Sequence, residues 1–454
     1  MKKPTSTICI ISVLCLVISS LFTGCWGMLE RTPLWLGGDA EPFTFNARAY
    51  DLAYYFDHVI ETRASEFDLL LTSFDHFTVR IAGESLDGVT LAHSRADGWA
   101  LRTLYHPPSA NIRNIASIIV LSTSEDTHAV RFVDADEHVS TLTLGQLHML
   151  DQTRTLRART PSHLGERSAT TYALHHRVPL GSVLEGDSFV AMARNGEAMF
   201  FRGTAYMIAS RGVRMSRNQI DLLLPDDRVL HDLAGVMANP PGFLITDTFH
   251  DTMRFLEQGE QVLVIKLDGL GWNMLDHAPF LQSLQPKQAL AVYPPVTPVA
   301  LAAMLTGVTG DQNGIYARGQ RELLAQDIFD ATAQAGKTAV HISTRTTFIN
   351  TSLAPVLARD DADAFMLAQQ TLAEQPDLLF VHFKGIDDAA HAYGPHGEQT
   401  QQVIAEIDGF VRVLLEHFDG RVIITSDHGL HETDDGGNHG LFLPTDMLVP
   451  YVIR

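Results

Sequence analysis

The sequence predicts an α/β fold over residues 256–454, a doubly wound and mostly parallel sheet, preceded by a separate and mostly β region over 43–241. Two observations carry this reading. After "ANPPG" (238–242) five apolar runs, "QVLVIKLDG", "QALAVYPP", "KTAVHIST", "DLLFVHFKG" and "RVIITSDHG", alternate with helical segments. Continuous apolar runs of this kind read as strands buried on both faces between helix layers. Before that point, runs such as "HFTVRIAG", "ASIIVLST" and "HAVRFVDA" mix polar and apolar residues and are broken by turn residues, the pattern of half-buried strands. A chain of 454 residues is long enough for two or three domains.

Taken in order, the chain opens with Lys2 and Lys3 before an apolar run, Ile8 to Phe22, that is short for a membrane span and ends in small residues before Cys25. Residues 1–24 read as a signal peptide. The three cysteines are Cys9, Cys15 and Cys25, so cleavage before Cys25 leaves one thiol and no disulfide framework. The stretch "LFTGC" resembles a bacterial lipobox, with Phe22 where leucine is usual; the resemblance implies a diacylated Cys25 and a lipoprotein held on a membrane outside the cytoplasm of a bacterium. Residues 25–42 read as a linker. The formal charge is -20, and such a surface repels nucleic-acid backbones, so no nucleic-acid partner is expected.

In the second region a connecting helix is expected around Asp247–Gln258, and further helices at about 299–306, 322–335, 360–374 and 399–417, with Gly307 and Gly336 placed to end the first two of these four. "AVYPPVTPVALAAMLTG" puts Thr297 before Pro298 at a helix start, read as N-cap and N1. From Ala289 to Gly310 no residue is charged and none is histidine. If Thr297 is a nucleophile, its activator comes from elsewhere in the chain.

Ligands of open α/β sheets bind outside the carboxyl ends of the strands. Those ends carry Asp268, Thr297, Asp387 with His391, Asp427 with His428, and then His439. Three aspartates and three histidines suit zinc or manganese better than calcium or copper, and six such groups are enough for two divalent ions. Asp387 and His391 are four apart, one helical turn. Two such ions against three carboxylates leave a positive centre on an acidic protein, which is where a phosphoryl group would sit.

The motifs "LDGLGW", "YPPVTPVALAAMLTG", "GIDDAAHAYGP", "TSDHG" and "GNHG", in that order, resemble the alkaline phosphatase superfamily, and within it the type I phosphodiesterase and nucleotide pyrophosphatase branch, over about residues 260–454. The resemblance implies one metal held by Asp387, His391 and His439, a second by Asp268, Asp427 and His428, and Thr297 as a nucleophile facing both and forming a phospho-threonine. In relatives an asparagine after the nucleophile donates to the phosphoryl oxygen; "NGIYARG" places Arg318 there, and a guanidinium can fork two oxygens of a more highly charged group. Its competing role is a surface pair with Glu322.

The expectation is therefore a metal-dependent phosphoesterase acting on a phosphate ester. The alternatives are a phosphomonoesterase, or a surface binding lipoprotein that retains the metals without catalysis. Sulfatase chemistry does not fit the residues around Thr297, and no cap domain fits in the ninety residues from Thr297 to Asp387; the β region before 241 is left as a possible cover. Asp388, His396, His431, Asp434 and Asp435 read as solvated loop residues, whereas Lys384, three before Asp387, is near enough to face the site.

Overall fold

The computed structural model describes residues 33–454 except 41–42, 61–65, 76, 123–128, 151–153, 162–167, 175–176, 212–217 and 345–347. The signal segment, Cys25 and residues 26–32 and 41–42 of the expected linker lie outside the described residues, but Leu34–Gly38 is a strand paired with Ile115–Ser122 and buries Leu34 and Leu36, so this part of the expected linker belongs to the β-rich core instead. Among those described, no helix is long and apolar enough to cross a membrane.

Eight strands form the main sheet: β1 (Phe243–Leu244), β2 (Val262–Leu267), β3 (Lys287–Leu290), β4 (Ala339–Ser343), β5 (Val356–Leu357), β6 (Leu378–Phe383), β7 (Arg421–Thr425) and β8 (Leu448–Ile453), in the order β1-β3-β8-β7-β2-β6-β4-β5. Pairing is parallel except around β8, which runs antiparallel to β3 and β7. The expected doubly wound α/β fold is what the chain adopts. β8 has no counterpart in the sequence reading, because Pro450 inside "LVPYVI" argues against a central strand.

Six helices matter for the site: α1 (Asp247–Glu257), α2 (Thr297–Thr306), α3 (Ile328–Gln334), α4 (Asp361–Leu372), α5 (Gly385–Tyr393) and α6 (Glu398–Glu416). Successive side chains of a strand face opposite sides, and β2 shows it. Val262 and Val264 join one core with Phe255 of α1, Leu305 of α2 and Phe329 of α3, while Leu263, Ile265 and Leu267 join another with Ala364 of α4, Ile386 of α5 and Ile407 of α6. All ten residues of α2 are buried, which accounts for the charge-free stretch around it: a helix covered on every side has no polar face. Gly307 ends α2 in the left-handed conformation, at φ 72. The helix expected at 322–335 begins only at Ile328, where Asp327 caps it by accepting from Phe329 and Asp330 amides.

The chain divides into two compact units, and the division does not follow the single boundary near 241. One unit comprises the described parts of residues up to 129, 142–178 and 209–220; the other comprises 130–141, 179–208 and 221–454. The first is β-rich, as expected, with a five-stranded sheet that includes Phe67–Ser73 and Ile115–Ser122 over a core containing Leu69, Ile118 and Trp99. In the second, a five-stranded sheet that includes Val130–Val133, Phe189–Ala193 and Leu233–Ala238 sends Val133, Val190, Met192 and Met237 into the same core as α2. Alternation identifies strands but not the core that buries them. The hairpin after Phe189–Ala193 abuts the chain on both sides of α2: Arg194 donates to the Tyr293 hydroxyl at 3.4 Å, and a Cβ on Gly196 would meet Gly310 Cα at 2.9 Å.

Candidate active site at the carboxyl edge of the sheet

β2 and β7 end side by side and deliver Asp268 and Asp427, both fully buried. β6 ends in the turn that starts α5, whose first turn presents Asp387 and whose next presents His391, with Nε2 3.3 Å from Asp387 Oδ1. The loop after β7 supplies His428, and a two-stranded ribbon, His431–Thr433 with Gly436–Asn438, leads to His439. Gly269 lets these loops meet. Its φ is +81, and a Cβ there would lie 2.9 Å from Leu430 Cδ1 and 3.0 Å from Asp387 Cα, tighter than nearly all side-chain contacts.

Thr297 opens α2, but not as the expected cap. Val296 is the N-cap and Thr297 the first helical residue, and no side chain caps this end. Its hydroxyl is therefore not committed to the helix, and Oγ1 lies 3.2 Å from His428 Nε2. The sequence places the helix start one residue late because Thr before Pro is a common cap pair.

The six acidic and imidazole groups converge. Ligand atoms of Asp268, Asp427 and His428 lie within 4.8 Å of one another, as do those of Asp387, His428 and His439. His428 Nε2 is 3.7 Å from Asp268 Oδ1 and 3.6 Å from Asp427 Oδ2, and His439 Nε2 is 3.7 Å from Asp387 Oδ1. The His428 and His439 rings stack at 3.8 Å. His428 is thus shared by both groups, whereas His391, 37% exposed, approaches Asp387 from the rim.

Two features fit this cluster to cations. Asp268 Oδ1 is buried and accepts no hydrogen bond among the described residues, while the equally buried Asp427 Oδ2 and Asp387 Oδ1 have Lys266 Nζ at 2.8 Å and His391 Nε2 at 3.3 Å beside them; three carboxylates buried together are costly unless further positive charge neutralises them. The Nδ1 atoms of His391, His428 and His439 each face a backbone carbonyl, those of Gly437, Gly429 and Pro295, at 2.9, 3.1 and 2.8 Å. A carbonyl only accepts, so each Nδ1 carries hydrogen and, in the neutral ring, each Nε2 offers its lone pair to the cluster, the arrangement of ligating histidines.

The electrostatics are steep. Burial opposes ionisation of Asp387, yet the His391 hydrogen bond and the His428 and Lys384 charges hold it well below the usual carboxylate range. Asp268 is lowered likewise, burial being outweighed by Lys266, His382 and His428. Burial first, then the His428 charge, pushes His439 down to about 3, while the Asp387 hydrogen bond raises His391.

Sequence reasoning missed Lys266 and His382. Lys266, with no exposed surface, lies 3.0 Å from Asp268 and 2.8 Å from Asp427. His382 sits beside it in register and is 2.7 Å from Asp268 Oδ2, its Nδ1 being 3.1 Å from Ser343 Oγ on β4. The signal was a single cation inside an otherwise apolar strand, two residues before Asp268 and so on the same face. Lys384 does face the site, 2.8 Å from Asp387 and 2.6 Å from Asp388.

Arg318 does not take the surface pair with Glu322, which accepts instead from Asn350 at 2.6 Å. Its Nη2 lies 3.5 Å from His439 Nε2, at a cleft of about 420 Å³ that Tyr316, His431 and His439 also line. His431 departs from the solvated reading: its side chain is 19% exposed, and Nδ1 meets both oxygens of the buried Asp446 at 2.8 and 3.0 Å. Asp434 and Asp435 are exposed, as expected.

Residues 262–335 and 326–448 match the family described as type I phosphodiesterase / nucleotide pyrophosphatase. The match supports the alkaline phosphatase-like branch. It spans less than half of the chain and includes the metal-site candidates from Asp268 to His439. Among curated proteins, GPI ethanolamine phosphate transferase 1 of Mus musculus is 34% identical over 87 residues, 17% of this chain and 9% of that one. GPI ethanolamine phosphate transferase 3 of Eremothecium gossypii is 31% identical over 84 residues, 18% of this chain and 8% of its own length. Of solved structures, murine ectonucleotide pyrophosphatase / phosphodiesterase 5 is 19% identical with a TM-score of 0.34, over 38% of this chain and 58% of that one. Phosphonoacetate hydrolase from Sinorhizobium meliloti is 16% identical with a TM-score of 0.33, over 39% and 59%. The chain thus spans less than a tenth of the length of these curated relatives.

Proposed function

We propose that the chain is a metal-dependent phosphoester hydrolase with Thr297 as its nucleophile. The observation that carries the reading is the convergence of three buried carboxylates and the facing imidazole nitrogens, with Asp268 Oδ1 accepting no hydrogen bond among the described residues and the Thr297 hydroxyl 3.2 Å from His428 Nε2. Asp387, His391 and His439 would hold one divalent cation, and Asp268, Asp427 and His428 a second; this donor set suits zinc, with manganese as the other candidate. When bound, such ions supply the positive charge that stabilises an ionised hydroxyl and the phosphoryl oxygens.

The chain's own residues account for the remaining steps. Thr297 Oγ1 loses its proton to solvent and attacks phosphorus; the bond to the leaving oxygen breaks, and the phosphoryl group stays on Thr297. Water then attacks from the side the leaving group vacated, the bond to Oγ1 breaks, and phosphate departs from a monoester substrate or a phosphate monoester from a diester. The curated relatives are named for ethanolamine phosphate transfer; an alcohol attacking the phosphoryl group on Thr297 in place of water would give a transfer of that kind, so an acceptor alcohol belongs in the assay.

Arg318 at the mouth of the cleft favours a second reading, a monoesterase. A guanidinium beside His439 suits a dianionic group better than a diester. Turnover of nitrophenyl mono- and diesters with zinc or manganese, for wild type and Thr297→Ala, tests the main reading. Loss of all turnover with metal content retained supports catalysis by Thr297; no turnover by either protein favours a binding role. Arg318→Ala raises KM for the monoester at least tenfold more than for the diester if the monoester reading holds. We further propose that lipid on Cys25 holds the enzyme to a membrane outside the cytoplasm, which labelling with a radioactive fatty acid in wild type and Cys25→Ala would check.

A further inference from the structure

The His431–Asp446 pair is absorbed neither by the metal-ligand set nor by the fold alone. Asp446 is fully buried and also accepts from the Leu441 amide at 3.0 Å, so its carboxylate is fixed in place. It takes the Nδ1 edge of His431 with both oxygens. Nε2 has no protein partner among the described residues, and the ring lines the cleft that Arg318 and His439 share. The ribbon sets this position: His431 pairs with Asn438, the residue before His439. An imidazole oriented by a buried carboxylate on one nitrogen, with the other open to a substrate cleft, is built to pass protons.

We propose that His431 is the acid–base residue for the leaving group, an inference that rests on the phosphoester-hydrolase reading. In the first half-reaction the phosphorus–oxygen bond to the leaving group breaks, and the alkoxide takes the proton from Nε2. In the second, water attacks the phosphoryl group on Thr297 from the vacated side, and Nε2 takes the proton it gives up. One residue serves both halves because water enters where the leaving oxygen departed. Asp446 acts through His431 as a positioning residue, keeping Nδ1–H directed at itself. Among the described residues, Asp446, Arg318, His439 and Tyr316 are the charged and titratable groups that face this cleft or the ring.

A ladder of esters separates this role from a structural one. Nitrophenoxide leaves without a proton, whereas an alkoxide needs one, so His431→Gln, which can still donate to Asp446, should lower kcat for alkyl phosphates by about 100-fold or more. For the nitrophenyl ester in a single-turnover measurement of the first half-reaction, the loss should stay under about tenfold, with KM little changed for both. His431→Ala, checked for unchanged metal content, should behave the same way. Parallel losses on both ester classes, or no loss on either, while wild type turns both over, overturn this proposal and leave the phosphoesterase reading standing. Absence of turnover in wild type with every ester overturns both.

Discussion

Replacing Lys266 by methionine tests how the site carries its charge. The side chains are of similar length, so the substitution removes the ammonium 3.0 Å from Asp268 and 2.8 Å from Asp427 and leaves two carboxylates facing each other without exposed surface. Burial lowers the pKa of this lysine, but the two aspartates outweigh it and raise it above the ordinary value, so the group is charged. Removing one partner from a buried ion pair costs about 3–5 kcal/mol. With a urea slope of about 2 kcal/mol/M, the unfolding midpoint of this unit should fall by roughly 2 M in the presence of a chelator. Saturating zinc should shrink the deficit to below about 1.5 kcal/mol, because bound cations neutralise the same oxygens. An equal loss with chelator and with zinc, or no loss with chelator, would refute the argument that Lys266 and the cations share one pair of carboxylates.

Other expectations follow from single features. Gly269→Ala forces a Cβ to within 3.0 Å of Asp387 and strains a φ of +81; zinc affinity measured by competition should weaken by about tenfold or more, the equivalent of ~1.4 kcal/mol, with the fold retained by circular dichroism. Leu305→Ala empties a fully buried position in α2 and should cost about 2–5 kcal/mol in urea melts. His391 has a raised pKa in the metal-free fold, so its stabilisation is complete below the unfolded value of 6.5 and is lost as pH rises through the raised value. Zinc needs the neutral ring, so the thermal shift on adding zinc should grow from about pH 6 to about pH 8, and His391→Ala should flatten that slope.

What could be read in the sequence follows a physical divide. Strands buried on both faces are continuous apolar runs, so their ends, and with them Asp268, Asp387 and Asp427, were legible. His391 followed from one helical turn, and Gly307 from the need to end α2 in the left-handed region. Lys266 and His382 were not, because their value depends on cross-strand register, where Lys266 pairs with His382 on one side and Thr425 on the other. His431 was misjudged because its partner, Asp446, is fifteen residues away and meets it only once the ribbon folds back. The strand around Val133 was recognised as a strand, but only packing reveals that it shares the core of α2. The order in which loops reach one edge explains the remainder: His428 lies close to both groups of acidic and imidazole side chains, where the family resemblance assigned it to one.

The central claim is that Thr297, ionised within this cluster, carries the phosphoryl group. Acid-quenching wild-type protein during turnover of a nitrophenyl phosphate, followed by peptide mass mapping, tests it directly. The account predicts a phosphate on the peptide that contains Thr297 and none in Thr297→Ala. Steady turnover with no adduct at Thr297, or with phosphate on another residue, would contradict it.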